Sequence, residues 1–194
     1  MADSRNWLTV LDVACAECGI WVGELQPEEL APKLYASIDA WDEILRTNDP
    51  AELTRREQPE TWSPVEYGSH VADVMDLFQE RIFLMVSEDS PTFPSFDPDA
   101  AAATYVGRTP EEVADRIEGA GNRLGQVFES LDPALWARTG QRGDGAAFTV
   151  LSIGRYLLHD DLHHLFDVRR FLGEGSQSAN QAQQSQAQQS QGPE

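Results

Sequence analysis

Apolar residues recur at helical spacing in four long segments of the chain. In the first segment, from about Pro27 to Asn48, an apolar residue returns every three or four positions, which is the period of one face of an α-helix. This stripe consists of Leu30, Leu34, Ile38, Trp41 and Leu45. The fourth segment, from Thr149 to about Leu172, is apolar nearly all round. We therefore expect it to be the most buried helix.

The second and third segments begin with the same start signal. Ser63 and Thr109 are each followed directly by proline and, three positions on, by glutamate. A hydroxyl side chain before a helix, proline at its first position and glutamate at its third form a capping box with a favoured first turn. The pattern predicts that helices begin at these two residues, and that the third helix continues to about Leu131.

The four helices predict an all-α fold, a four-helix bundle, because no convincing alternating strand pattern lies between them. A long, proline-rich connection from Glu88 to Arg108 separates helices two and three. It is long enough to form a crossover over the end of the bundle, so an up-down-up-down order is not required. Loops of this length are often functional lids. A second long connection runs from Asp132 to Phe148.

The bundle is expected to occupy the middle of the chain. We predict an N-terminal segment over residues 1–26, the bundle over residues 27–173 and a tail over residues 174–194. From Ser176 to Glu194 the sequence has eight glutamines, four serines, a tandem Gln-Ala-Gln-Gln-Ser repeat and no large apolar residue. Such a composition buries too little apolar surface to offset its ordering entropy, so we expect the tail to be disordered.

The charge of the chain excludes several classes of partner. There are 33 acidic and 14 basic side chains, for a formal net charge of −19. This field repels nucleic acid and anionic membrane surfaces. No stretch approaches the roughly 20 apolar residues of a membrane helix, and the apolar run from Trp7 to Ala16 is broken by Asp12, unlike a signal peptide. We expect a cytoplasmic protein, and the preference for arginine over lysine is typical of a GC-rich bacterial genome.

Candidate metal ligands are the histidines of predicted helices two and four. His159 and His163 are four residues apart, so their side chains project only about 40° from one another and can hold one ion. They share an inward face with Tyr156 and Phe166, and His70 lies on the apolar stripe of helix two. Three imidazoles directed into the bundle would leave an open coordination position, as in a catalytic metal site.

A second pair of candidate ligands lies on another face of helix four. His164 is about 140° from His159 around the helix, and we expect it to face another helix or solvent. Asp160 and His164 are also four residues apart and form a competing pair on that face.

Two cysteines add further alternatives. Cys15 and Cys18 have the spacing of half a zinc site or of a redox pair. They could combine with His159 and His163, or they could be two reduced cysteines in a turn before helix one. These alternatives stay open at the level of sequence.

Two segments resemble the signature helices of the DinB-like superfamily, which includes bacillithiol and mycothiol S-transferases and mycothiol-dependent maleylpyruvate isomerases. They are residues 62–73, WSPVEYGSHVAD, and residues 159–167, HDDLHHLFD. The resemblance implies a four-helix bundle with a long crossover and a divalent metal, zinc or nickel, held by three histidines. Carried over to this sequence, those ligands are His70, His159 and His163.

The leading functional hypothesis is a divalent-metal-dependent transferase that activates a low-molecular-weight thiol, such as mycothiol, for conjugation to an electrophile. A thiol that coordinates a metal is deprotonated near neutral pH. Arg81, on the stripe of His70, and Arg138 or Arg142, in the last connection, are candidates for binding anionic groups of the substrate. The alternatives are a non-catalytic metal-binding or redox-sensing bundle and a metal-dependent hydrolase. The predicted partners are the small-molecule thiol and electrophile, with a homodimer left open.

Overall fold

The structure is a computed structural model that describes residues 7–173. Four long helices confirm the predicted bundle: α1 (Pro27–Thr47), α3 (Pro64–Ser87), α5 (Pro110–Ser130) and α6 (Val150–Phe171). Two short helices lie in the connections, α2 (Pro50–Leu53) and α4 (Pro98–Ala102). The predicted tail lies outside the described residues, as do the first six residues of the N-terminal segment.

The capping signals position the starts of α3 and α5. The Ser63 side chain accepts a hydrogen bond from the backbone N–H of Glu66, and the Glu66 carboxylate accepts one from the backbone N–H of Ser63. Thr109 and Glu112 form the same reciprocal pair at α5. Each box satisfies backbone donors that the first turn of a helix leaves unpaired.

The long helices are arranged so that consecutive ones are not always neighbours. Both α1 and α3 pack against α5 and α6, while α1 and α3 lie across the diagonal of the bundle with little contact. The chain therefore crosses the bundle between α1 and α3 and again between α5 and α6, whereas the long connection between α3 and α5 joins two neighbours. The core along the bundle axis contains mainly large apolar side chains, including Leu34, Trp41, Met75, Ile82, Ile117 and Leu124.

A small sheet, absent from the predicted architecture, closes one end of the bundle. Its strands are β1 (Thr92–Phe93), in the crossover between α3 and α5, and β2 (Thr139–Arg142) and β3 (Ala147–Thr149), which form a hairpin before α6. β1 pairs in parallel with β2, and β2 pairs antiparallel with β3. Strands of two to four residues are too short to show a period of two in the sequence.

The N-terminal segment lies against α6. It begins with a 3-10 helix, Trp7–Leu11, and continues as irregular chain to α1. Among the helices of residues 7–173, none is long and apolar enough to cross a membrane.

Candidate metal centre

A cavity of about 780 Å³ lies between α3 and α6. The N-terminal 3-10 helix covers one side, and the crossover and the β2–β3 hairpin cover another. All four histidines of the chain line this cavity, together with Asp160. The side chains that could bind metal are therefore gathered at one place in the fold.

One group of candidate ligands spans α3 and α6 and consists of His70, Asp160 and His164. The Oδ2 atom of Asp160 is 3.4 Å from Nε2 of His70 and 3.8 Å from Nε2 of His164. An ion with bonds of about 2.1 Å would separate such ligand atoms by about 3.4 Å at tetrahedral angles. Asp160 Oδ2 is also buried and accepts no hydrogen bond from residues 7–173. A buried, unsatisfied carboxylate oxygen between two imidazole nitrogens fits a divalent cation.

The environment of His164 and Asp160 favours the protonation states that bind metal. Burial lowers the pKa of His164 to about 3, so its imidazole is neutral at pH 7. Burial alone would raise the pKa of Asp160, but the opposing effect of the nearby His164 and His70 is larger. The net result is a pKa of about 2, so the carboxylate is ionised. Two imidazoles and one carboxylate are a common donor set for a catalytic zinc ion.

A second group joins the N-terminal segment to α6 and consists of Cys15, Cys18, His159 and His163. Sγ of Cys15 is 3.7 Å from Nδ1 of His163, and Sγ of Cys18 is 3.7 Å from Nε2 of His159. Burial, followed by the nearby His163, lowers the pKa of His159 to about 4. These two histidines are buried, whereas the cysteines are half-buried.

The structure does not bring the predicted set of His70, His159 and His163 together as one group. His159 and His163 face the cysteines, and His70 meets Asp160 and His164 instead. His164, for which the sequence predicts a position facing another helix or solvent, faces α3 across the cavity, with its ring 5.0 Å from that of His70. The reason is rotation about α6, since positions 160 and 164 are turned by about 100° from positions 159 and 163. The four-residue spacing of Asp160 and His164 is the sequence signal for the group that meets His70.

Arg81 and Arg142 both line the cavity, and Arg142 is paired with Asp144 through Nε and Nη2. Arg81 is only 4% exposed, and its guanidinium lies between the rings of Phe78 and Phe93. One of its nitrogens donates to the carbonyl of Pro94, while Nε has no partner within residues 7–173. Burial, followed by the nearby charge of Arg142, lowers the pKa of Arg81 to about 10. An arginine so placed can bind an anionic group.

Arg138 does not share this position. Its Nε donates to the carbonyl of Met85 at 2.9 Å, and its Nη2 donates to the carbonyl of Glu88. It satisfies carbonyls at the end of α3 and does not line the cavity. The prediction that Arg138 binds substrate is not supported by its location.

A family model described as the DinB superfamily matches residues 33–166. The fold is similar to YfiT from Bacillus subtilis, described as a probable metal-dependent hydrolase with an unusual four-helix bundle topology. The identity is 17%, the alignment covers 76% of this chain and 88% of YfiT, and the TM-score is 0.65.

Two other solved structures share the fold. A mycothiol-dependent maleylpyruvate isomerase is 14% identical over 76% of this chain and 62% of its own, with a TM-score of 0.64. TT2238, a four-helix bundle protein, is 22% identical over 75% of this chain and 99% of its own, with a TM-score of 0.57. The chain matches no curated protein. At these identities, the structural likenesses show the fold alone.

Proposed function

This chain belongs to the DinB superfamily, and on that premise we propose that it is a metal-dependent enzyme that activates a low-molecular-weight thiol for conjugation to an electrophile. The observation that carries the proposal is the convergence of His70, Asp160 and His164 on a cavity that also contains a buried arginine. A metal site and an anion-binding group in one cavity suit a substrate with a reactive sulfur at one end and a charged group at the other.

His70, Asp160 and His164 would hold the metal. Three protein ligands are the number found in catalytic metal sites that bind a substrate directly. A divalent metal held by them would supply the positive charge that lowers the pKa of a bound thiol. Zinc is the proposed metal, with nickel as the alternative, because imidazole ligands suit both.

Residues around the metal ligands would orient the substrate and exclude water. Trp62 packs on His70, with ring centroids 5.1 Å apart, and Phe96 covers the same imidazole at 5.8 Å. At the far end, Arg81 and Arg142 would bind an anionic group of the thiol or of the electrophile. One protein of similar fold is an isomerase that depends on mycothiol, which supports a mycothiol-like thiol as the co-substrate here.

The test is a conjugation assay with the full-length protein after metal reconstitution. Mycothiol and a second low-molecular-weight thiol are each supplied with a chlorinated dinitrobenzene, and the product is followed by absorbance. We expect metal-dependent conjugation. Asp160→Asn keeps the side-chain shape but removes the charge that binds metal. It should lower the rate by more than about 100-fold, because loss of a residue that merely supports a ligand already costs ~10–100-fold.

Asp76→Asn is the matched control. Asp76 lies on α3 but pairs with Arg123 at an exposed position, 2.7 Å away, and does not line the cavity. We expect this variant to keep the wild-type rate and metal content. A metal-loaded protein that accelerated conjugation with neither thiol, or an Asp160→Asn variant with full activity, would contradict the proposal.

Hydrolysis is the second candidate, because a protein of similar fold is described as a probable metal-dependent hydrolase. The same three ligands would then activate water in place of a thiol. Ester and amide cleavage by the metal-loaded protein in the absence of any thiol would favour this candidate. Metal binding with neither activity would favour a non-catalytic bundle.

A further inference from the structure

The group formed by Cys15, Cys18, His159 and His163 has no role in the activity proposed above. We propose that it is a second metal site, a closed zinc site that fastens the N-terminal segment to α6. Two thiolates and two imidazoles complete a tetrahedral shell, so no coordination position is left for a substrate. The site is therefore structural, and it stands independently of the proposed enzymatic activity.

The distances within the group match a tetrahedral zinc ion. With Zn–S bonds of about 2.3 Å and Zn–N bonds of about 2.0–2.1 Å, a sulfur and a nitrogen on the same ion are about 3.6 Å apart. Both closest sulfur–nitrogen pairs are separated by 3.7 Å, Cys15 to His163 and Cys18 to His159. All four ligand atoms lie within 4.8 Å of one another. The side chains are thus close to the positions that zinc would require.

The local backbone on each side orients its pair of ligands. The chain turns tightly after Cys15, whose carbonyl accepts a hydrogen bond from Gly19 and whose N–H donates to the carbonyl of Ile20, each at 2.9 Å. Gly19 has a φ of 73°, a conformation that side chains disfavour. On the other side, the four-residue spacing on α6 directs both imidazoles the same way.

The surroundings of His163 are also those of a metal ligand. Its Nδ1 faces Cys15, while its Nε2 lies 3.5 Å from a carboxylate oxygen of Glu17 and 3.6 Å from one of Asp167. Ligating histidines generally direct their second nitrogen toward a carboxylate, carbonyl or water, which orients the ring.

The site would hold one wall of the catalytic cavity in place. Trp7 packs on both imidazoles, with ring centroids 5.8 Å from His159 and 5.1 Å from His163. Trp7 and Leu8 also line the cavity. Because the metal would tie this irregular segment to α6, its loss should loosen the wall without unfolding the bundle.

The test uses the full-length protein, stripped of metal, kept reduced and titrated with Co²⁺ and Zn²⁺. Cobalt bound to thiolates produces a sulfur-to-cobalt charge-transfer absorption in the near ultraviolet, which a site of imidazoles and carboxylate lacks. We expect this band in the wild type, and we expect added zinc to abolish it. Zn²⁺ stoichiometry is measured in parallel by mass spectrometry, with two equivalents expected.

The neighbouring residues His163 and His164 provide a matched pair of variants, because each belongs to a different group. His163→Asn should lose the tetrahedral thiolate spectrum and one zinc equivalent, whereas His164→Asn should keep that spectrum while losing the other equivalent. The double variant Cys15→Ser with Cys18→Ser should lose the charge-transfer band and retain one equivalent. Circular dichroism verifies that each variant keeps its helices.

Absence of the band in the reduced wild type would overturn this site, as would two zinc equivalents in a folded double-cysteine variant. The band reports only the thiolate site. If conjugation failed while the band persisted, the catalytic proposal would fall and the zinc site would stand.

Discussion

At the scale of single residues, the Glu66 side chain stabilises the first turn of α3. Its carboxylate accepts hydrogen bonds from the backbone N–H of Ser63 at 2.8 Å and from two nitrogens of Arg56 at 2.8 and 2.5 Å. Burial alone would raise the pKa of Glu66, but Arg56 and Ser63 lower it below the ordinary value. The carboxylate therefore stabilises the fold above its unfolded pKa, and this stabilisation is lost as the pH falls through the lower folded pKa.

We expect Glu66→Gln to reduce the free energy of unfolding at pH 7 by about 1–3 kcal/mol, the usual cost of losing a hydrogen-bonded charge. Urea unfolding at a series of pH values measures the effect, and the difference from wild type should shrink as acid protonates the native carboxylate. Glu112→Gln is the control, because Glu112 closes the same kind of cap at α5 in an exposed position. An equal loss in both variants would show that Arg56 contributes nothing.

The sequence indicates the residue types of the candidate sites and offers the grouping of Cys15 and Cys18 with His159 and His163 as one alternative, but it does not decide which pair on α6 meets His70. Helical spacing identifies His159 with His163 and Asp160 with His164 as pairs. The prediction that the fourth helix is the most buried is wrong, since α3 buries 14 of its 24 residues and α6 only 10 of its 22. Apolar residues nevertheless lie on several faces of α6, so its sequence does not indicate which pair faces α3. Asp161, which lies between the two pairs in sequence, is also buried. It accepts hydrogen bonds from the side chains of Ser37 and Trp41 in the core.

At the scale of elements, the contact between α1 and α5 depends on small residues. A methyl group added to Gly121 would lie 2.3 Å from Cδ1 of Ile38, well inside van der Waals contact. Gly119, two positions earlier, is half-buried, and a methyl group there would meet only the flexible end of Arg123, at 3.3 Å. The two glycines therefore separate the effect of helix propensity from the effect of packing.

We expect Gly121→Ala to destabilise the protein by about 1–3 kcal/mol, because overpacking displaces neighbouring side chains. Gly119→Ala should stabilise it by about 0.5–1 kcal/mol, since alanine favours the helix over glycine. Chemical denaturation of both variants measures the difference. Stabilisation by Gly121→Ala would contradict the close contact between Gly121 and Ile38, because it would show that a methyl group fits between α1 and α5.

The helices could be predicted and the sheet could not, for a physical reason. Ser63 and Thr109 specify helix starts through contacts within four residues, which a sequence displays directly. The pairing of Thr92 with Gln141 joins residues far apart in the chain, in strands too short to show alternation. This sheet nevertheless places Arg142 at the cavity.

At the scale of the whole molecule, the cavity combines parts of the chain that are distant in sequence. The N-terminal segment, α3, the crossover, the hairpin and α6 each contribute to its lining. In a chain with a net charge of −19, the buried Arg81 provides a local positive charge for an anion. The composition predicts the negative electrostatic field of the whole chain. The position of Arg81 in the cavity, by contrast, depends on tertiary contacts.

The placement of two tryptophans gives each candidate site its own fluorescent reporter. Trp7 lies on His159 and His163, and Trp62 lies 5.1 Å from His70 and 6.3 Å from His164. Paramagnetic ions such as Cu²⁺ and Co²⁺ quench nearby indole emission, whereas Zn²⁺, with a filled d shell, does not quench in this way. The intrinsic fluorescence of Trp7 and of Trp62 should therefore report the occupancy of the two sites separately.

We expect Trp62→Phe to remove the quenching that accompanies filling of the His70, Asp160 and His164 group, and Trp7→Phe to remove that of the cysteine-containing group. Cobalt titrations of both variants, read by steady-state fluorescence, provide the measurement. Identical titration curves in the two variants would mean that Trp7 and Trp62 do not report on different metal sites. Distinct curves would allow the order in which the sites fill to be followed in real time, without a labelled protein.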